Sequence, residues 1–222
     1  MQREYSLIIN GEQVAGGRGT FDVINPATEE VVSACPYATV EQLNDAVDAA
    51  DEAFKTWQYS SDEERNQALH RIADGIEANA AELAEVIVKE QGKPMFLAQA
   101  EVGGAVAWTR YTADLEIPVE VLEDSDNKRI ELHRKPLGVV GSITPWNWPL
   151  MIAVWHIMPA LRTGNTVVCK PSGLTPLNTI MLAEIISKEV PAGVMNLVTG
   201  ESGIGSAITG HEKIRKIVFT GS

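Results

Sequence analysis

From Gly138 to Ser222 the chain alternates short apolar runs with helix-length segments, and that alternation restricts the fold more than any other feature. Gly138–Thr144, small and β-branched, reads as a buried strand stopped by Pro145. Further strands are expected at Thr166–Cys169, Val194–Val198 and Ile214–Phe219. Leu150–Leu161 between them is apolar and helix-length, and a second helix runs to about Lys188, with Thr175 as its cap and Pro176 in its first position. Gly200–Gly205 is a glycine-rich turn leading into a short helix, Ile204–Ile208. Such alternation predicts an α/β fold built on a parallel sheet with right-handed crossovers. In these sheets ligands bind beyond the carboxyl ends of the strands, and Asn147, Lys170, Gly200 and Thr220–Ser222 all fall at such ends. The usual dinucleotide fingerprint is absent, because no G-x-G-x-x-G opens a helix here.

The turn after the first of these strands, Pro145-Trp146-Asn147-Trp148-Pro149, sets two indoles and two prolines around one asparagine. Prolines stiffen the backbone and indoles can wall off water. Asn147 is then either an amide donor aimed at a developing oxyanion or a residue that caps or bridges its own turn.

Upstream, Leu7-Ile8-Ile9 and Val14 flank Asn10-Gly11, a hairpin signal, and Phe21–Ile24 adds a strand, so an N-terminal β arm is expected. From Thr39 the period becomes helical. Thr39 with Gln42, and Ser61 with Glu64, have the spacing of capping boxes. A third helix carries Leu83, Val86 and Ile87 and closes at Gly92 and Pro94, and a fourth runs from about Phe96 to Leu115, with Gly103-Gly104 expected to allow close packing. The acidic residues of the first three helices are expected on a solvated surface. Val119–Leu122 and Arg129–His133 around a polar break read as a hairpin.

With 222 residues, 45 % of them hydrophobic, a substantial core is available. A formal charge of −12 argues against nucleic acid, while helix N-termini and one placed lysine can still bind an anionic cofactor. Two distant cysteines, Cys35 and Cys169, and four scattered histidines suggest neither a disulfide framework nor a metal site. Without a leader-like start or a membrane-length apolar run, the expectation is a soluble, cytoplasmic chain with no membrane partner.

Pro145-Trp146-Asn147-Trp148-Pro149, then Lys170-Pro171-Ser172, then Phe219-Thr220-Gly221-Ser222 resemble the aldehyde dehydrogenase superfamily in order and interval. The likeness extends to Ile24-Asn25-Pro26-Ala27-Thr28 and Glu90-Gln91-Gly92-Lys93-Pro94, and covers the first half of the family's pattern. It implies a Rossmann-like open parallel sheet with flanking helices: residues 1–117 as the β arm and helical part, 118–137 as a protruding β-hairpin for oligomerisation, and 138–222 as the NAD(P)-binding core. By matched position, Lys170 meets the adenosine ribose, and Gly221 and Ser222 start the turn at the pyrophosphate. Thr144, Pro145, Trp146, Ser172 and Gly203 lie near the cofactor, Asn147 stabilises the oxyanion, and Ile152 and Trp155 line the substrate channel.

NAD and NADP both remain open, because Gly173 stands where NAD-preferring members often carry a glutamate. His156 stands where a longer basic side chain is common. The implied activity is oxidation of a small aldehyde to a carboxylic acid by a homo-oligomer. The nucleophilic cysteine and the general-base glutamate belong to motifs beyond this stretch, so the chain reads as an N-terminal fragment, inactive by itself. Alternatives are a non-catalytic dinucleotide-binding or subunit-association module, and a relative that forms acyl-CoA or reduces acyl phosphates.

Overall fold

The computed structural model describes residues 3–221. In chain order its elements are β1 (Leu7–Ile9), β2 (Glu12–Val14), β3 (Thr20–Ile24), β4 (Val31–Pro36), α1 (Val40–Trp57), α2 (Asp62–Ala78), α3 (Ala80–Gln91), α4 (Met95–Ala113), β5 (Glu120–Ser125), β6 (Lys128–Leu132), β7 (Val139–Ile143), α5 (Pro149–Arg162), β8 (Thr166–Lys170), α6 (Leu177–Ser187), β9 (Met195–Leu197), α7 (Ser202–Gly210) and β10 (Ile214–Phe219).

The four strands expected after residue 138 form the parallel part of a six-stranded sheet of order β10-β7-β8-β9-β1-β2. The expected N-terminal arm is not a free appendage. Its first hairpin, turned by Asn10 and Gly11 at positive φ, supplies the antiparallel edge: Ile8 pairs with Leu197, and the Asn10 amide donates to Asn196 Oδ1 at 2.9 Å. β3 and β4 pair separately. All three residues of β1 are buried, which explains why this hairpin docks.

Strand alternation sorts the core into two layers. Val139, Val168, Leu7 and Ile9 face α1 and α7 through Leu43, Val47, Ile204 and Ile208. Val140, Val167, Cys169 and Ile8 face α5 and α6, behind which α2, α3 and α4 pack. Gly141 allows α7 to approach, since a Cβ there would lie 2.7 Å from Ile208 Cγ2.

Both predicted capping boxes form, at Thr39/Gln42 and Ser61/Glu64. Close packing at Gly103-Gly104 holds for one residue: a Cβ on Gly104 would sit 3.4 Å from Met151 Sδ, whereas Gly103 is exposed with open space around it. The start of α6 also differs from expectation. The helix begins at Leu177, the Thr175 hydroxyl has no partner among the described residues, and the cap comes from Glu90 on α3. The hairpin β5–β6 is solvent-exposed, pairs with no other strand among the described residues, and carries exposed Val121, Leu122, Ile130 and Leu132. Among those residues no helix is long and apolar enough to cross a membrane.

Candidate functional site

From β7 the chain moves outward to β8 and β9, then returns across the sheet to place β10 on the other side of β7. A crevice therefore opens where the strand order reverses, outside the carboxyl ends of β7 and β10. A cleft of about 920 Å³ lies there. After β7 it is lined by Thr144, Pro145, Trp146 and Asn147, after β8 by Lys170, Ser172 and Gly173, and after β10 by Thr220 and Gly221.

Asn147 is exposed, and among the described residues its side-chain amide makes no hydrogen bond, so it neither caps α5 nor bridges its turn. The indoles on either side do not enclose it: Trp146 and Trp148 are 52 % and 39 % exposed. Both prolines act as expected, Pro145 following the strand and Pro149 opening α5.

Lys170 is buried at the end of β8 and, among the described residues, donates only to a main-chain carbonyl, that of Pro171, at 2.9 Å. Burial pushes its pKa down. No carboxylate pairs with it among the described residues, which leaves donors for a ligand. The Thr144 hydroxyl at the same cleft is buried without a partner among the described residues. Gly200 has φ +153°, and a Cβ there would meet Ile204 Cγ1 at 2.9 Å, so this wall is bare backbone by necessity. Beside it the Tyr37 hydroxyl donates to Glu201 Oε2 at 2.9 Å, and Phe21 stacks edge-on against Tyr37.

Three residues singled out from sequence lie elsewhere. Gly203 is in the first turn of α7, exposed and off the cleft lining. Ile152 is buried on α5. Trp155 opens onto a second cleft of about 920 Å³ beside His133–Leu137 and packs 5.9 Å from Trp108. Ser222 lies outside the described residues.

Residues 14–222 match the model of the aldehyde dehydrogenase family. The chain belongs to the aldehyde dehydrogenase family. It is 38 % identical to phenylacetaldehyde dehydrogenase of Pseudomonas fluorescens, over 98 % of this chain and 46 % of that protein. An aldehyde dehydrogenase from Bacillus cereus superimposes with a TM-score of 0.95 at 36 % identity, covering 99 % of this chain and 46 % of that one. Betaine aldehyde dehydrogenase from Staphylococcus aureus, solved with NAD+, gives 0.92 at 32 % identity, covering 96 % and 44 %. The chain thus spans about half the length of the aldehyde dehydrogenases it matches.

Several residues that support the loops of this cleft were not legible as such. Glu90, expected at the surface, is fully buried, and its carboxylate accepts from the Leu177 and Asn178 amides at 2.8 and 2.9 Å and from Asn178 Nδ2. It thereby caps the helix that follows the Lys170 loop. Glu101 does the same for α5, accepting from Leu150 N and Met151 N at 3.0 and 3.1 Å. A signal was available: Glu90 continues the Leu83, Val86, Ile87 stripe, and Glu101 sits between Ala98 and Val102, so both occupy core register.

His156 is also buried and ties β7 to the β10 end, with Nδ1 3.1 Å from Ser142 Oγ and Nε2 2.9 Å from Thr220 Oγ1. Burial lowers its pKa to about 4, so it is neutral at pH 7. Cys35 and Cys169 are buried, and desolvation raises both thiols to about 12, which favours the protonated thiol at neutral pH.

Proposed function

We propose that the chain provides the dinucleotide site and the oxyanion amide of an NAD(P)-dependent aldehyde dehydrogenase that converts a small aldehyde to a carboxylic acid. The observation that carries this reading is the convergence of Asn147, Lys170 and Gly221 on one cleft at the strand-order reversal, in a chain of this family. A buried lysine bound only to a carbonyl, an unpartnered Thr144 hydroxyl and a bare-backbone wall at Gly200 suit a ligand rich in hydroxyls and phosphates. The NAD+ bound to the Staphylococcus aureus neighbour supports the same assignment.

In this reading Lys170 donates to the adenosine ribose, with Thr144, Pro145, Trp146, Ser172, Gly221 and Ser222 completing the cofactor contacts. The bound nicotinamide supplies the hydride acceptor. Asn147 donates its amide to the oxygen that becomes an oxyanion when a nucleophile adds to the aldehyde. Neither cysteine of this chain is a competent thiolate, so the nucleophile comes from outside these residues, and the chain alone does not turn over. Assembly into a homo-oligomer through the exposed β5–β6 hairpin, whose unpaired edges and apolar side chains suit strand pairing, and a cytoplasmic location complete the reading.

Titration of NAD+ and NADP+ into the full-length protein tests it. Wild type binds at least one of them, and Lys170→Met weakens that binding about tenfold or more with an unchanged circular dichroism spectrum. Binding of neither dinucleotide by wild type would sink the reading.

Position 173 governs the choice between the two cofactors. A side chain there has room, its Cβ lying 3.9 Å from Phe21 Cε2 and 4.0 Å from the Gly200 carbonyl oxygen. Gly173→Glu adds a carboxylate that accepts from ribose hydroxyls and repels a 2′-phosphate. The expected result is a shift of the NADP+/NAD+ Kd ratio by about tenfold or more toward NAD+. An unchanged ratio would mean that position 173 does not face the adenosine ribose.

A further inference from the structure

The turn that presents Asn147 is held by a buried ion pair from another part of the chain. Lys93 and Glu101 are almost wholly buried, and Lys93 Nζ lies 2.5 Å from Glu101 Oε2. The same ammonium donates to the Asn147 carbonyl oxygen at 3.0 Å and sits 4.0 Å from the centroid of the Trp148 ring. The other carboxylate oxygen, Oε1, takes the Leu150 and Met151 amides. Trp148, at the cap position of α5, provides no side-chain cap of its own. One salt bridge therefore grips the Asn147–Met151 stretch on both sides, at the asparagine's carbonyl and at the first free amides of the helix.

Both grips come from rigid ground. Lys93 lies between Gly92, which ends α3, and Pro94, which leads into α4, while Glu101 is two turns into α4. A buried ion pair is a poor device for stability, because apolar residues of similar volume often do as well or better. Its placement against the turn that carries the unpartnered Asn147 amide has a different consequence. The amide hangs from a peptide whose carbonyl is fixed, and an oxyanion donor works only within a few tenths of an ångström of its proper distance.

We propose that Lys93 and Glu101 are positioning residues, which aim the Asn147 amide by fixing its carbonyl and the first turn of α5. This rests on the reading of Asn147 as the oxyanion donor. Neither side chain touches the reacting atoms. The pair acts through the turn.

The test uses the full-length protein with three changes: the apolar replacement Lys93→Met/Glu101→Leu, the conservative Lys93→Arg, and each of these combined with Asn147→Ala. Hydrogen exchange at the Leu150 and Met151 amides reports the turn independently of activity. In the apolar double variant these two amides exchange faster than the rest of α5, and kcat for aldehyde oxidation falls ten- to a hundredfold while the dinucleotide KM moves less than about threefold. Adding Asn147→Ala to that variant costs much less than it does in wild type, because the amide is already misdirected. Lys93→Arg restores most of kcat, and it keeps the proposal testable if the apolar variant does not fold.

The proposal is overturned if exchange at the two amides does not change, if kcat survives in the apolar variant, or if Asn147→Ala costs as much there as in wild type. If the wild-type protein oxidises no aldehyde while the amides respond, the functional reading has failed, and the positioning role falls with it. Unchanged amides in an active protein isolate the failure to the positioning role.

Discussion

Replacing Asn147 by alanine in the full-length protein is expected to lower kcat for aldehyde oxidation by about 10²–10³-fold, the loss of one oxyanion donor, or roughly 3 kcal/mol of transition-state stabilisation. Dinucleotide affinity and thermal stability are expected to stay near wild type. The side chain is exposed and, among the described residues, bonded to nothing, so the ground state loses neither a cap nor a turn contact. A donor that engages only as charge develops acts on kcat and kcat/KM together. Steady-state kinetics beside a melting curve decide the matter. A variant with wild-type kcat, or one whose activity falls only as its melting temperature does, would return Asn147 to a structural role.

Glu90 is expected to produce the largest stability effect, in a sense opposite to that of most carboxylates. Burial raises its pKa from an ordinary 4.5 to about 7, despite the three N–H donors it receives and with Glu101 adding like charge. Between pH 4.5 and 7 the folded protein therefore keeps a proton that the unfolded chain has lost. Stability falls as pH rises through that window, by roughly 3 kcal/mol in all, and is level above it.

His156 has the contrary slope. Its pKa drops from 6.5 to about 4 on folding, so the unfolded chain takes up a proton that the folded one refuses, and stability falls as pH drops through that interval. From about pH 4.5 to 6.5 the two contributions offset each other, and wild-type stability is expected to be nearly flat. Glu90→Gln should expose the histidine, with stability falling on acidification. His156→Gln should expose the glutamate, with stability rising instead. Asp62, held below the usual carboxylate range by its hydrogen bonds from Arg162, adds a loss only at lower pH. Denaturant unfolding in steps from pH 4.5 to 8 gives the curves. If Glu90→Gln parallels wild type throughout, Glu90 does not titrate in this range.

Glu90→Ala is a different experiment. It leaves the Leu177 and Asn178 amides without an acceptor inside the core, and Asn178 Nδ2 with only the Thr175 carbonyl, at about 1–3 kcal/mol for each donor left unpaired. The Lys170 loop joins β8 to this same helix, so dinucleotide affinity should fall along with stability.

What the sequence by itself determined was local. The hairpin at Asn10-Gly11, the capping boxes at Thr39 and Ser61, the end of α3 at Gly92 and the strand–helix alternation after Gly138 all depend on contacts between residues a few positions apart. Turn torsions, cap bonds and burial periods are written at that range. The cleft followed because Asn147, Lys170 and Gly221 each end a parallel strand, and parallel strands bring their carboxyl ends to one edge.

Only the tertiary structure decided which partner serves which end. Glu90 caps a helix whose first residue is 87 positions away, Lys93 reaches across 54 positions to Asn147, and His156 across 64 to Thr220. Leu7–Ile9 joined the sheet between β9 and β2 because β9 had an open side and these residues had to be buried. A charged side chain at core register shows in sequence that it must find a partner, but not which one. Desolvation makes the pairing obligatory, and the packing of distant elements selects the donor.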